Sequence, residues 1–228
     1  MKVGKVGKLE SWKAGKTAHV PTGGLYIHIP FCQAKCAYCD FNSYAGKEHL
    51  IAAYVQALGE EMRWYAPHWA GTVTTVYVGG GTPTILPLPL LEEVLDTARR
   101  LFRVPDGAEV TVEANPGTVD EDYLQGLLAL GVTRLSLGVQ SFRDDELRLL
   151  GRIHTAAEAR HSYRLARRAG FANINLDLIY GLPGQGVAAW RESLEEAIQL
   201  GPEHLSCYGL HLSEEVPLAR RIAAGELP

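Results

Sequence analysis

The chain has 228 residues, of which 46% are hydrophobic and 21% charged, with 24 glycines and a net charge of −4. That length admits one barrel-sized α/β domain or two small ones, and the composition excludes disordered and collagen-like chains. The acidic balance provides no broad cationic field, so neither nucleic acid nor an anionic membrane surface is an expected partner.

Lys2, Lys5, Lys8, Lys13 and Lys16 make the start of the chain locally basic. No apolar stretch of about 7–15 residues follows them, and no segment approaches the ~20 apolar residues of a membrane helix. Residues 1–23 therefore read as a solvated lysine-rich tail and residues 24–228 as the core. From residue 25 onward, apolar extended runs alternate with helical periodicity. Strands are predicted at Leu25–Phe31, Val73–Val78, Glu109–Ala114, Arg134–Val139, Ile174–Ile179 and His204–Leu210. Helices are predicted at Leu50–Tyr65, Leu88–Phe102, Asp120–Leu130, Asp144–Leu150, Ala156–Ala169, Val187–Leu200 and Val216–Ala224. Six strand-then-helix units with right-handed crossovers predict a parallel α/β sheet curled into an open or closed barrel.

Alternation along the strands separates aliphatic from polar side chains. Val110 and Val112 oppose Thr111 and Glu113; Leu135, Leu137 and Val139 oppose Ser136 and Gln140; Leu176 and Leu178 oppose Asn175 and Asp177. If the aliphatic face packs on helices, the polar face lines an interior. Glu113, Gln140 and Asp177 then lie toward the carboxyl ends of their strands, where parallel barrels place their chemistry.

Four cysteines could form two disulfides, but Cys32, Cys36 and Cys39 fall within eight residues, too close to join distant elements. A ligand cluster in a reducing, cytoplasmic compartment fits better. Three thiolates in a C-x3-C-x2-C loop can hold three irons of a cubane cluster and leave the fourth open. Structural zinc is the alternative, although it is four-coordinate and usually takes paired C-x2-C units, and no second pair follows. An open iron at the carboxyl rim of a parallel barrel is the layout of a protein in which S-adenosylmethionine (SAM) chelates that iron and is cleaved to a 5′-deoxyadenosyl radical. Gly79-Gly80-Gly81-Thr82-Pro83 ends the second strand. Its glycines permit close backbone approach, and exposed N–H groups there are expected to bind a carboxylate. Glu113 and Asp177 are placed to contact other parts of the ligand. Cys207 shares the phase of Leu205 and is expected to be a buried packing residue. His28 and His154 are the histidines considered for function, haem ligation included, and the arginines from Arg160 to Arg168 read as a solvated helix face.

Several ordered segments carry a resemblance that covers the chain from about residue 24 to its end. They are Tyr26-Ile27-His28-Ile29-Pro30-Phe31-Cys32, Cys36 through Ser43, Gly79 to Pro83, Glu113-Ala114-Asn115-Pro116, Gly138 to Phe142 and Asp177 to Pro183. Together they resemble the radical SAM family of oxygen-independent coproporphyrinogen III oxidase and its relative, the haem chaperone HemW. The resemblance implies a partial (β/α)6 barrel, a [4Fe–4S] cluster on Cys32, Cys36 and Cys39, and SAM contacts from Tyr26, Gly80 and Glu113. It further implies that Tyr38, Gly81, Thr82, Gln140, Arg152 and Asp177 match positions that hold a second SAM in the oxidase. Phe41 stands where the oxidase carries a further cysteine, and Cys39-Asp40-Phe41-Asn42-Ser43 looks like the HemW branch. That branch implies haem or porphyrin binding, haem-acceptor proteins, an electron donor and no decarboxylation. Its members continue into a C-terminal region with a His-Asn-Asn motif, so a chain ending at Pro228 is expected to be a fragment or a truncated form.

Overall fold

Residues 20–228 are described in a computed structural model of the chain; the expected tail lies almost wholly outside the described residues. In chain order the elements are β1 (Thr22–Ile29), β2 (Phe31–Cys32), β3 (Tyr44–Ala45), α1 (Ile51–Tyr65), β4 (Thr72–Gly80), α2 (Leu88–Leu101), β5 (Glu109–Ala114), α3 (Glu121–Ala129), β6 (Arg134–Gln140), α4 (Asp144–Leu149), α5 (Ala156–Ala169), β7 (Ile174–Tyr180), α6 (Val187–Leu200), β8 (His204–Gly209) and α7 (Pro217–Ala223). Six strands form one parallel sheet in the order β1-β4-β5-β6-β7-β8, while β2 and β3 pair separately. Because β1 and β8 are edges and do not pair with each other, the barrel is partial.

The aliphatic phase packs against the helices. Val76, Val78, Val112, Leu135, Leu137, Leu176 and Leu178 join Leu91, Leu95, Leu124, Leu127 and Ala166 in one core. Each such side chain, fully buried, is worth about 1.5–3 kcal/mol against exposure. Local chemistry fixes where helices begin and end. Thr155 and Glu158 form a reciprocal capping box at the start of α5, and Gly170 ends it in the left-handed conformation. Asp120 caps α3 by accepting from the Tyr123 amide at 2.8 Å.

The polar phase behaves differently along the barrel axis. Thr111, Ser136 and Asn175 are buried. Asn175 Nδ2 donates to Ser136 Oγ at 2.7 Å, and Ser206 donates to Asn175 Oδ1 at 3.0 Å. This ladder fills the amino-terminal half of the interior and leaves space only toward the carboxyl ends. A satellite cluster of Leu150, Ile179, Leu182 and Leu218 supports that rim.

Two expectations need correction. Cys207 is exposed, on β8, an edge strand of the sheet. The arginine face of α5 is only partly solvated. Arg160 pairs with Glu196, and Arg167 Nη2 meets Glu203 Oε2 at 2.7 Å, so their charge is spent on neighbouring elements. Among the described residues, no helix is long and apolar enough to cross a membrane.

Candidate cofactor site

The three cysteines lie on the loop that opens at Phe31 and closes at Tyr44. Pairing of Phe31 with Tyr44 and Cys32 with Ala45 ties its two ends, and Tyr44 N donates to Pro30 O at 2.7 Å. Lys35 Nζ bridges the carbonyls of Phe41 and Ser43, at 2.9 Å each. The His28 ring reaches Asn42 O through Nε2 at 2.8 Å. Since a carbonyl only accepts, Nε2 carries the proton and Nδ1 accepts from the Tyr26 hydroxyl at 2.9 Å. Both nitrogens of His28 are thus used in holding the loop. The three thiols are unbridged, and Cys32 is buried. Burial pushes the Cys32 thiol pKa up, opposed by its Thr82 and Ser43 neighbours.

The glycine turn is closed on the protein itself. A Cβ at Gly80 would sit 2.6 Å from the His28 ring, and its φ of +117° is a conformation L side chains rarely adopt. A Cβ at Gly81 would meet Phe31 O at 2.5 Å and Cys32 Sγ at 3.0 Å. The amides expected to be exposed are taken: Gly80 N donates to Glu113 Oε2 at 3.0 Å, Gly81 N to Ile29 O and Thr82 N to Phe31 O. The carboxylate bound by this turn is therefore Glu113, because β4 and β5 are neighbours and Glu113 leans into the turn. Burial raises the Glu113 pKa, opposed by the Tyr77 hydroxyl, which donates to Oε1 at 2.7 Å, and by the Gly80 amide.

Arg152 links the cysteine loop to the sheet. Its Nη1 donates to Cys36 Sγ at 3.3 Å, and its Nη2 to Asn115 Oδ1 at 2.6 Å and Gly138 O at 2.7 Å. Asn115 Nδ2 donates to Thr82 Oγ1 at 2.7 Å, and Thr82 Oγ1 faces Cys32 Sγ at 3.8 Å. One polar arc thus runs from Cys36 through Arg152, Asn115 and Thr82 to Cys32. Burial and neighbouring cysteines hold the Tyr38 pKa well above the ordinary phenol value. Gln140 has a φ of +68°, the one non-glycine residue in that region among those described, at a break in the β6–β7 register. Such strain gathers where a cavity wall must be shaped. Asp177 accepts from Ser136 at 2.9 Å and from Asn175 at 2.9 Å on the cavity floor.

His154 is buried behind this arc. Nε2 donates to Val139 O at 3.1 Å, leaving Nδ1 to accept from Arg152 at 3.4 Å. Burial, then the Arg152 charge, pushes its pKa down to about 4. The unfolded chain takes up this proton near pH 6.5, so stability is lost as pH falls from 6.5 and levels off below 4. His154→Gln can keep both hydrogen bonds without titrating. Urea unfolding of cluster-free protein should show wild type losing about 2 kcal/mol more than the variant between pH 7.5 and pH 5. Equal losses would refute this account of His154.

Eleven of the twelve predicted site residues line one cavity of about 500 Å³ at the carboxyl rim: Cys32, Cys36, Cys39, Tyr38, Gly80, Gly81, Thr82, Glu113, Gln140, Arg152 and Asp177. Tyr26 does not line it. It stacks on Tyr77, with centroids 6.2 Å apart, and faces a groove beside α1. Tyr77 and Asn115 were absent from the expected set, although Tyr77 shares the interior phase between Val76 and Val78. Tyr208 and His211 also line the cavity, from the β8 edge.

Three unbridged thiols open to one cavity and a buried Arg152 Nε without a partner suit a bound cofactor. Among the described residues, no three His, Cys, Asp or Glu side chains gather closely enough to hold one metal ion.

The sequence matches the model of the Radical SAM superfamily over residues 26–197. It is 44% identical over 193 residues to the heme chaperone HemW of Escherichia coli, covering 84% of this chain and 51% of that protein. To HemW of Haemophilus influenzae it is 38% identical over 208 residues, covering 89% and 54%. Among solved structures it resembles the coproporphyrinogen III oxidase HemN of E. coli, with a TM-score of 0.82 and 32% identity over 92% of this chain and 49% of that one. The chain spans about half the length of the curated relatives it matches.

Proposed function

Because the chain belongs to the Radical SAM superfamily, we propose that it is the cluster-bearing core of a haem chaperone, binding a [4Fe–4S] cluster, SAM and haem. The superfamily implies the first two cofactors. The observation that carries the reading is the opening of Cys32, Cys36 and Cys39 onto the cavity lined by Glu113, Gln140, Arg152 and Asp177, in a chain so similar to HemW.

In this reading the three cysteines hold three irons, and the fourth is left to the amino and carboxylate groups of SAM. The cluster, when bound, supplies one electron at that open iron. Glu113, fixed by Tyr77 and Gly80, has acceptor capacity left for a ribose hydroxyl or the amino group of SAM. Tyr26 acts through Tyr77, on which it stacks. Tyr38, Gly81, Gln140 and Asp177 form the surrounding wall. Arg152 and Thr82 bond the cysteine sulfurs, which favours positioning of the cluster loop over contact with a second SAM. An electron donor, haem-acceptor proteins and a cytoplasmic location complete the proposal.

The oxidase is the second reading, favoured by the structural likeness to HemN. Anaerobically reconstituted protein separates the two. A brown protein that binds haem and leaves coproporphyrinogen III unconsumed, with SAM and a reductant present, is the expected result. Consumption of coproporphyrinogen III would establish the oxidase instead. A colourless protein containing zinc but no acid-labile sulfide would overturn both.

A further inference from the structure

The cavity changes character from one edge of the sheet to the other. At the cluster side it is polar, lined by Arg152, Glu113 and the thiols; toward β8 it is lined by Ile179, Tyr208, Leu210 and His211. Two large aromatic side chains stand open to solvent on its wall. Phe41, 66% exposed, comes from the loop after the first edge strand, and Tyr208, 56% exposed, from the last. Exposed aromatics sharing one concave surface mark a place for a flat apolar ligand.

The histidines divide sharply by availability. In His28 and His154 both ring nitrogens are occupied by hydrogen bonds within the protein. His204 bonds Asn175 at the other end of β8. His68 lies against Trp64 in the groove beside α1, and His49 and His161 line no part of the central cavity. His211 is the described histidine that does line it, is exposed, and has no hydrogen-bond partner among the described residues.

We propose that His211 is the axial ligand of porphyrin iron bound at this apolar end, with Tyr208 against the macrocycle. The assignment rests on the haem-binding reading above and names the ligand for it. A neutral imidazole with a free ring nitrogen is the commonest protein donor to haem iron. The iron takes the histidine lone pair and no electron is transferred. Binding there would set the porphyrin beside the SAM-facing wall without displacing any cysteine.

The test is titration of the reconstituted full chain with hemin and, separately, with metal-free protoporphyrin IX, followed by absorption and electron paramagnetic resonance spectra. His211 is exposed in a loop, so His211→Ala should unfold in urea as wild type does. Its hemin affinity should fall at least tenfold with loss of the histidine-ligated spectrum, while protoporphyrin binding stays within twofold. His211→Tyr should replace that spectrum with one of phenolate-ligated ferric haem. Tyr208→Ala should weaken both porphyrins several-fold. Wild-type binding of hemin with an unchanged spectrum in His211→Ala and His211→Tyr would overturn the ligand assignment alone. Failure of wild type to bind hemin at all would overturn the haem-binding reading with it.

Discussion

Single replacement of Cys32, Cys36 or Cys39 by alanine should leave the anaerobically reconstituted protein without its cluster: the brown absorption, the iron and the acid-labile sulfide all fall to background, whereas Cys207→Ala retains them. The contrast follows from placement. The three loop thiols open onto the cavity, while Cys207 lies exposed on an edge strand and does not line that cavity. With three protein ligands in all, the site has no spare thiolate to take over, and Ser43, the side chain near Cys39 at 3.7 Å, is a poor substitute for sulfur. The cluster-free variants should still fold. The core of strand and helix side chains is built without the cysteine loop, apart from Phe31, which packs edge-on against Tyr54. A full complement of iron and sulfide in any one of the three variants would remove that cysteine from the ligand set.

Arg152→Met should cost about 3 kcal/mol of stability and shift the reduction potential of the cluster to more negative values. Methionine keeps much of the length but none of the donors. Asn115 Oδ1 and Gly138 O, at 2.6 and 2.7 Å, would then lose their partner inside the wall, and an unsatisfied buried acceptor costs about 1–3 kcal/mol. The potential responds because the N–H donated to Cys36 sulfur at 3.3 Å, and the positive charge behind it, favour the more negative, reduced state of the cluster. Arg152→Lys retains the charge without the fork, so it should recover part of the potential and little of the stability. Urea unfolding and anaerobic potentiometry read the two effects separately. A variant as stable as wild type, with an unshifted potential, would show that the arc from Cys36 to Cys32 does not hold the loop.

The two effects differ in how far they can be seen in the sequence. The strands at Glu109–Ala114 and the helices at Ala156–Ala169 and Val187–Leu200 match the expected bounds because alternation and a 3.6-residue period are local signals. The start of β1 does not match. Gly23 and Gly24 lack strand-like side chains, and Gly23 is needed because a Cβ there would sit 2.9 Å from the Trp69 ring, a contact across distant sequence. The β2–β3 pair was hidden for the same reason, since two-residue strands have no periodicity.

At the site, interior phase alone identified Glu113, Gln140 and Asp177 as neighbours. Motif resemblance added Tyr38, Thr82 and Arg152. Neither showed that the glycine amides are spent on Glu113 and the backbone, because that depends on how far β5 leans toward β4. Neither showed Tyr26 outside the cavity. Alternation gives the face a side chain occupies, whereas Tyr26 is on an edge strand, where the face is open and the ring turns to stack on Tyr77. Cys207 failed through the same geometry on the opposite edge.

The central claim is a cluster on Cys32, Cys36 and Cys39 with one iron open to SAM. Electron paramagnetic resonance of the dithionite-reduced, reconstituted full chain, recorded with and without SAM, tests it most directly. The spectrum should be that of a reduced [4Fe–4S] centre whose g values change when SAM is added, and that change should weaken in Glu113→Gln. A spectrum identical with and without SAM, or no iron–sulfur signal in protein that contains metal, would contradict it.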